Sequence, residues 1–123
     1  MARIWIWLIF AGCLGAWAQE PPEEDAGSKK TEYAFNPLKA AQEIKVGDFY
    51  WKRASWRSAA GRYKEATLWN PGSAEAFLKL GDCYDKLKDA DSAREAYAKF
   101  VELEPGHRRA AEIKKKLMKP AVR

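Results

Sequence analysis

Residues 40–73 read AAQEIKVGDFYWKRASWRSAAGRYKEATLWNPGS, and residues 74–107 read AEAFLKLGDCYDKLKDADSAREAYAKFVELEPGH. The two stretches carry the same residue at 11 of 34 aligned positions, whereas unrelated segments of average composition would share roughly two. A fixed period of about 20 to 50 residues is typical of stacked supersecondary units, and not of one globular core around an enclosed active site. We therefore expect a chain that offers surfaces to other molecules.

Each stretch is predicted to form a pair of helices. Asn36 before Pro37 is typical of a helix start. Pro71-Gly72 and Pro105-Gly106 are typical of helix ends, because proline cannot continue a helix and glycine accepts the left-handed conformation that ends one. Apolar residues spaced by three and four predict helices over residues 38–53, 56–69, 73–87 and 91–103.

Glycine and tyrosine recur at equivalent places in the two stretches. The small residues Gly47 and Gly81 are predicted to let the second helix of each pair approach closely. Tyr63 and Tyr97 are predicted to fill the space between the helices, where a tyrosine hydroxyl can reach a polar partner at the rim of the core.

A fifth helix is predicted over residues 108–119. Two repeats are fewer than the three or so that usually stand alone, so the last repeat needs a cover. Ala110, Ile113 and Leu117 form one apolar stripe in an otherwise charged segment. The predicted fold class is therefore all-α, an α-α superhelix of two helical hairpins and a capping helix within residues 36–119, followed by a tail of residues 120–123.

The second stretch resembles the tetratricopeptide repeat family, in which a pair of helices forms each repeat. The first stretch departs from the family at Glu43, where an aromatic residue is usual, and at Ala54, where glycine is usual in the turn between the helices. Residues 46–63 also resemble, more weakly, the repeats of BamD-type outer-membrane assembly lipoproteins. The matching motifs are Phe77-x-x-Leu80-Gly81-x-x-Tyr84, Ala93-x-x-x-Tyr97 and Pro105, with Val46-Gly47-x-x-Tyr50, Ala59-x-x-x-Tyr63 and Pro71 in the first stretch.

Residues 1–18 are predicted to be a secretory signal peptide. Arg3 supplies positive charge, an apolar run follows, and Ala16-Trp17-Ala18 is a small-x-small cleavage signal. Two alternatives stay open: an uncleaved anchor, or a lipidated Cys13, because residues 10–13 resemble a bacterial lipobox. The chain is thus expected to be exported, either periplasmic or secreted, or anchored to the envelope by lipid at Cys13.

Residues 19–35 are predicted to be a disordered acidic linker, because they combine prolines, acids, glycine and serine with too little apolar surface to offset the chain entropy. Tyr33-Ala34-Phe35 at its end is expected either to dock onto the first helix or to be loose.

The composition does not favour an enzyme. His107 is the only histidine, and no second histidine or spaced cysteine pair accompanies it to form a zinc site or a nucleophilic triad. The glycines form no phosphate-binding loop, and Cys83 is expected to be a small buried residue. We therefore expect a non-enzymatic chain with no metal and no cofactor.

The net charge of +5 is concentrated near the end of the chain, where residues 108–123 contain seven Lys or Arg and one acid, Glu112. Such a run is either the solvated face of a capping helix or a weak contact for an anionic surface. Nucleic acid is excluded as a partner if the chain is exported.

The family resemblance implies that the first helix of each repeat lines a concave groove that takes a peptide. Trp51 is expected to be an exposed aromatic hot spot among charges. The alternative is a solvated face with i,i+4 pairs from Asp48 to Lys52 and from Asp82 to Lys86. The groove residues carried over are Ile44, Lys45, Asp48, Trp51, Lys52, Lys79, Asp82, Asp85 and Lys86.

Three functional hypotheses follow. The first is an exported adaptor or scaffold that binds a protein or peptide partner. The second is a lipid-anchored accessory subunit of an outer-membrane or envelope assembly complex, similar to BamD. The third is self-association of the two repeats end to end.

Overall fold

The computed structural model describes residues 32–119, and this range contains five α-helices and no strand. The predicted all-α fold is confirmed, and every helix begins and ends within two residues of its predicted bounds. The predicted signal peptide, Cys13, linker residues 19–31 and the tail 120–123 lie outside the described residues. The helices are α1 (Pro37–Lys52), α2 (Trp56–Trp69), α3 (Ala74–Lys86), α4 (Ala90–Leu103) and α5 (Ala110–Met118).

Three helices begin with a polar side chain that accepts a hydrogen bond from a backbone N–H of the first turn. Asn36 accepts from the Lys39 N–H at 3.0 Å, with Pro37 at the first helical position. Ser73 and Asp89 do the same for α3 and α4, at 3.3 and 3.2 Å. Each cap satisfies a donor that has no partner inside the helix, which explains where these helices start.

The turns inside the two hairpins share an unusual backbone conformation. Ala54 has a φ of 57° and Lys88, the equivalent residue of the second repeat, has a φ of 59°. The family has a glycine at the Ala54 position because a side chain is disfavoured in the left-handed region. Both hairpins of this chain therefore keep the turn geometry without the glycine.

The helices pack in chain order, α1 on α2, α2 on α3, α3 on α4 and α4 on α5. One core cluster joins α1, α2 and α3 around Tyr63, and a second joins α3, α4 and α5 around Tyr97 and Phe100. Ala110 and Ile113 of α5 are buried in the second cluster, so α5 covers α4 as predicted. The Arg94 guanidinium donates to the Leu117 and Lys119 carbonyls at 2.7 and 3.1 Å, which satisfies acceptors at the end of α5.

Tyr33, in the segment before α1, hydrogen-bonds and packs against α2, whereas the expectation was that residues 33–35 dock onto α1 or are loose. The Tyr33 hydroxyl lies 3.0 Å from both carboxylate oxygens of Glu65, and its ring meets Trp69 edge-on at 4.9 Å. The Asn36 N–H donates to the Trp69 carbonyl at 3.0 Å. Tyr33 is therefore held by contacts with α2, whereas Phe35 is largely exposed. No helix among residues 32–119 is both long enough and apolar enough to span a bilayer.

Candidate functional site

Ion pairs join α1 to α3 and α3 to α5, so the three helices lie side by side. Asp48 of α1 lies 2.8 Å from Lys79 of α3, and Asp82 of α3 lies 2.9 Å from Arg109, just before α5. A further pair links Asp85 to Lys116 of α5. We call the surface formed by α1, α3 and α5 the first-helix face. It contains the residues that the family resemblance assigns to a groove.

A tyrosine of the second helix holds the central carboxylate of each first helix. The Tyr63 hydroxyl donates to Oδ1 of Asp48 at 2.6 Å, and the Tyr97 hydroxyl donates to Asp82 at 2.6 Å and lies 2.9 Å from a carboxylate oxygen of Asp85. The expectation that these hydroxyls reach polar partners is confirmed. Burial, together with the bonds to these carboxylates, raises the pKa of both tyrosines, so both remain protonated donors.

The i,i+4 pairs considered as an alternative do not form among the described residues. Asp48 pairs with Lys79, 31 residues away, and Asp82 pairs with Arg109, 27 residues away. The physical reason is that each tyrosine holds its carboxylate beside the unit that follows, the second hairpin for Asp48 and the capping helix for Asp82, within reach of a cation there. Burial lowers the pKa of Lys79, but bonds to Asp48 and Glu75 outweigh that effect and leave the pKa raised.

Four of the nine predicted groove residues meet in one concavity of about 210 Å³ between α1 and α3. Tyr63 contributes the remaining side chain to its wall. Because both carboxylates there are already paired with cations, the concavity is polar but nearly neutral. The four predicted residues in it are Asp48, Trp51, Lys79 and Asp82.

Trp51 is not the exposed aromatic that was predicted, because it is half-buried and packs against the core. Its ring meets Trp56 edge-on at 4.7 Å, and the Lys86 ammonium lies 5.5 Å above the Trp56 ring. Trp56 was missed by the sequence analysis. Trp56 follows the turn directly and lies five residues after Trp51, and this position in the sequence could have indicated that the two rings meet. The two tryptophans and Lys86 form an aromatic–cationic edge of the first-helix face.

The other predicted residues differ in what they can offer a ligand. Ile44 is 8% exposed and belongs to the core, so we leave it out of the site. Asp85 is bonded to Tyr97 and Lys116. Three exposed lysines, by contrast, form no ion pair among the described residues, and they are Lys45, Lys52 and Lys86.

A larger cavity of about 410 Å³ lies between α2, α3 and α4, away from the predicted residues. Leu68, Phe77 and Tyr84 contribute apolar wall, and Lys64 lies at its edge. This cavity follows from the stacking of one hairpin on the next. Lys64 is exposed and therefore serves as a control position for the lysines of the first-helix face.

His107 and Cys83, the residue types most often used in catalysis, make packing and hydrogen-bond contacts within the fold. His107 accepts the Arg109 N–H through Nδ1 and lies edge-on to Phe100 at 5.0 Å. Cys83 is buried, and burial, followed by the charges of Asp82 and Asp48, raises the pKa of its thiol to about 12. No cluster of metal-ligating side chains occurs within residues 32–119.

Comparison with protein-family models matches residues 51–117 to the family described as Tetratricopeptide repeat. The match covers more than half of the 123 residues and runs from the last turn of α1 into α5. No curated protein sequence matches the chain at a significant level. With two stacked helical hairpins, a glycine–tyrosine contact in each and a matching family model, the chain belongs to the tetratricopeptide repeat family.

Proposed function

We propose that the chain is a non-enzymatic interaction module that binds an acidic peptide or protein segment on its first-helix face. Tetratricopeptide repeats typically serve as scaffolds that bind protein or peptide partners. The carrying observation is the charge balance of this face. Its carboxylates Asp48, Asp82 and Asp85 are neutralised by internal cations, whereas Lys45, Lys52 and Lys86 are exposed and unpaired among the described residues.

The aromatic–cationic edge supports the same ligand. Trp51 and Trp56 offer half-buried aromatic surface directly beside Lys86. Aromatic residues supply contact area at low entropic cost, and complementary charge steers a partner and sets its register. An acidic segment with an apolar residue would place its carboxylates on the lysines and its apolar side chain against the tryptophans.

A displayed library of random 12-residue peptides, selected on the purified chain, tests the proposal. We expect enrichment of Asp and Glu. The selected peptides should bind at least tenfold more weakly to the variant Lys52→Glu/Lys86→Glu and with unchanged affinity to Lys64→Glu. Selection of peptides without acidic bias, or equal affinity for the two variants, contradicts the proposal.

Trp51→Ala is a poor substitute for this test, because Trp51 also packs against the core. A loss of binding in that variant would not distinguish a lost contact with the ligand from a lower stability of the fold. The lysine variants avoid the problem, since their side chains are exposed and their exchange leaves the core intact.

The place of action is proposed from the leader sequence. Residues 1–18 support export to the periplasm or the exterior, and Cys13 after Phe10-Ala11-Gly12 supports the alternative of a lipid-anchored accessory subunit of an envelope assembly complex. The intact mass of the natively produced chain separates them. An N-terminus at Gln19 supports the first, and a lipid-modified Cys13 supports the second.

A weak contact of α5 with an anionic surface stays a prediction. Lys116 pairs with Asp85, and Arg109 pairs with Asp82 just before the helix, so these cations serve the capping contact. Lys114 and Lys115 remain exposed. Cosedimentation with anionic vesicles that is abolished by Lys114→Glu/Lys115→Glu would support the contact.

A further inference from the structure

The 34-residue repeat relates one face of α3 to a face of α1. The face on α3 is covered by α2, whereas the equivalent face on α1 is exposed in the described part of the chain. Leu80 and Cys83 of α3 are 6% and 0% exposed, because they pack with Ala76 against α2. The equivalent residues of α1, 34 positions earlier, are Val46 and Phe49, which are 37% and 50% exposed. The surface that a repeat normally uses for stacking is therefore open on α1 in the described part of the chain.

The open face is a continuous stripe along the whole helix. Its members are separated by four, four, three and four residues, the spacing of one helical face. We call it the outer stripe, and at about 1.5 Å per residue it is roughly 22 Å long, similar in length to a helix such as α2. The guanidinium of Arg53, the last residue of the stripe, lies 4.3 Å above the Phe49 ring. The outer stripe consists of Leu38, Gln42, Val46, Phe49 and Arg53.

Among residues 32–119, the charges beside the outer stripe are of one sign. Lys45 and Lys52 are exposed beside it and form no ion pair among the described residues. The two acids of α1 face elsewhere, because Glu43 is buried and pairs with Arg62 and Lys39, and Asp48 is held by Tyr63. A partner that covers the stripe must therefore carry negative charge to complement it.

A second copy of the chain does not meet this requirement. Two outer stripes facing each other would bring their own lysines together. An outer stripe against the exposed side of α5 would meet Lys114 and Lys115. Like charges across an interface suppress association, so both arrangements of two copies are disfavoured.

We propose that the outer stripe of α1 binds an amphipathic helix of another protein, apolar along one face and flanked by Asp or Glu. The partner's helix lies on α1 in the way that α2 lies on α3. It buries Val46 and Phe49 in the way that α2 buries Leu80 and Cys83. This surface is separate from the concavity between α1 and α3, although it shares Lys45 and Lys52 with the first-helix face. It adds a second partner to the one proposed above, and its apolar contact with Val46 and Phe49 does not depend on the aromatic–cationic edge.

Two synthetic 18-residue amphipathic helices test the proposal on the full chain. They share one Leu/Ala face and differ only in carrying either Glu or Lys on both flanks. Binding is followed by fluorescence anisotropy and by amide chemical shifts of the chain labelled with ¹⁵N. We expect the Glu peptide to bind, with the largest shifts at residues 42–53. The Lys peptide should bind at least tenfold more weakly.

Variants locate the contact and reveal its chemistry. Phe49→Glu should weaken the binding of the Glu peptide at least tenfold, whereas Lys64→Glu, at the exposed control position on α2, should leave its affinity unchanged. Lys45→Glu/Lys52→Glu alters only exposed side chains and should reverse the preference toward the Lys peptide. This double variant keeps the test valid if Phe49→Glu proves unfolded by circular dichroism.

Several results would overturn the proposal: no binding of the Glu peptide at millimolar concentration, equal binding of both peptides, or shifts centred on residues 79–86. A further one is a chain that sediments as a dimer and becomes monomeric on Phe49→Glu. That outcome would assign the outer stripe to a second copy of the chain.

Discussion

Tyr63 occupies the space that a side chain on Gly47 would fill. A Cβ built on Gly47 would lie 2.5 Å from Cε1 of the Tyr63 ring, and the same relation holds in the second repeat, where a Cβ on Gly81 would lie 2.6 Å from the Tyr97 ring. Real Cβ atoms essentially never approach a ring so closely. The absence of a side chain at this glycine is what lets α2 lie against α1 and brings the tyrosine hydroxyl to Asp48.

Gly47→Ala should destabilise the chain by about 1–3 kcal/mol, because the buried Tyr63 ring must move to admit the methyl group. Gly61→Ala is the matched control, since a Cβ there meets nothing within 4 Å. It should stabilise by about 0.5–1 kcal/mol through helix propensity. Urea unfolding followed by circular dichroism measures both, and a stabilising Gly47→Ala would contradict the packing described.

Tyr63→Phe removes the hydroxyl that donates to Asp48. Hydrogen bonds to charged groups contribute about 1.5–3 kcal/mol, and we expect a loss near the lower end because Lys79 remains paired with the carboxylate. Tyr50→Phe provides the comparison: its hydroxyl forms no hydrogen bond among the described residues, so its free energy of unfolding should change by less than about 0.5 kcal/mol. An equal loss of unfolding free energy in the two variants would show that the hydrogen bond to Asp48 does not stabilise the fold.

Ala54→Gly should stabilise the chain by about 1 kcal/mol, because Ala54 has a φ of 57° and glycine enters the left-handed region without steric cost. Lys88→Gly should act in the same direction, because Lys88 has a φ of 59°. Ala98→Gly, within α4, should instead destabilise by about 1 kcal/mol. Thermal unfolding of the three variants checks this, and a loss of stability in Ala54→Gly would refute it.

The Cys83 thiol should be unreactive in the folded chain. Its pKa is raised to about 12, so at neutral pH almost no thiolate is present, and the sulfur is fully buried. In a Cys13→Ser background, a disulfide reagent should modify Cys83 only as fast as the protein unfolds, and at once in urea. An added thiol at the exposed position Ala98→Cys should react immediately. Rapid modification of Cys83 without denaturant would disprove its burial.

Part of the stability of α4 should depend on pH through Asp89. Hydrogen bonds from Ser92 lower the pKa of the Asp89 carboxyl. The carboxylate therefore stabilises the fold above its unfolded pKa of about 3.9, and this contribution is lost as the pH falls through the lower folded value. The stability advantage of the native chain over Asp89→Asn, which caps without titrating, should shrink in acid. An advantage that is constant across the acid range would exclude this linkage.

Some features of the candidate site followed from the sequence and others did not. The 34-residue register placed Asp48 and Asp82 at equivalent points, and their tyrosine partners were expected to find polar groups. The same register could not show that Ile44 is buried, that Trp51 is half-buried, or that Trp56 joins Lys86. A helical period gives the angle of a side chain around its own helix, but its exposure depends on how closely the neighbouring helix approaches.

The sequence by itself determined the helices, their ends, the repeat and the glycine–tyrosine contact, because these depend on local backbone preferences and on a spacing that two stretches share. Only the tertiary structure decided that Asp48 pairs with Lys79 and not with Lys52, and that, among residues 32–119, the outer stripe of α1 is open while its counterpart on α3 is covered. The choice of ion-pair partner depends on distances between helices remote in sequence. Exposure of a stacking face depends on whether a neighbouring helix lies against it.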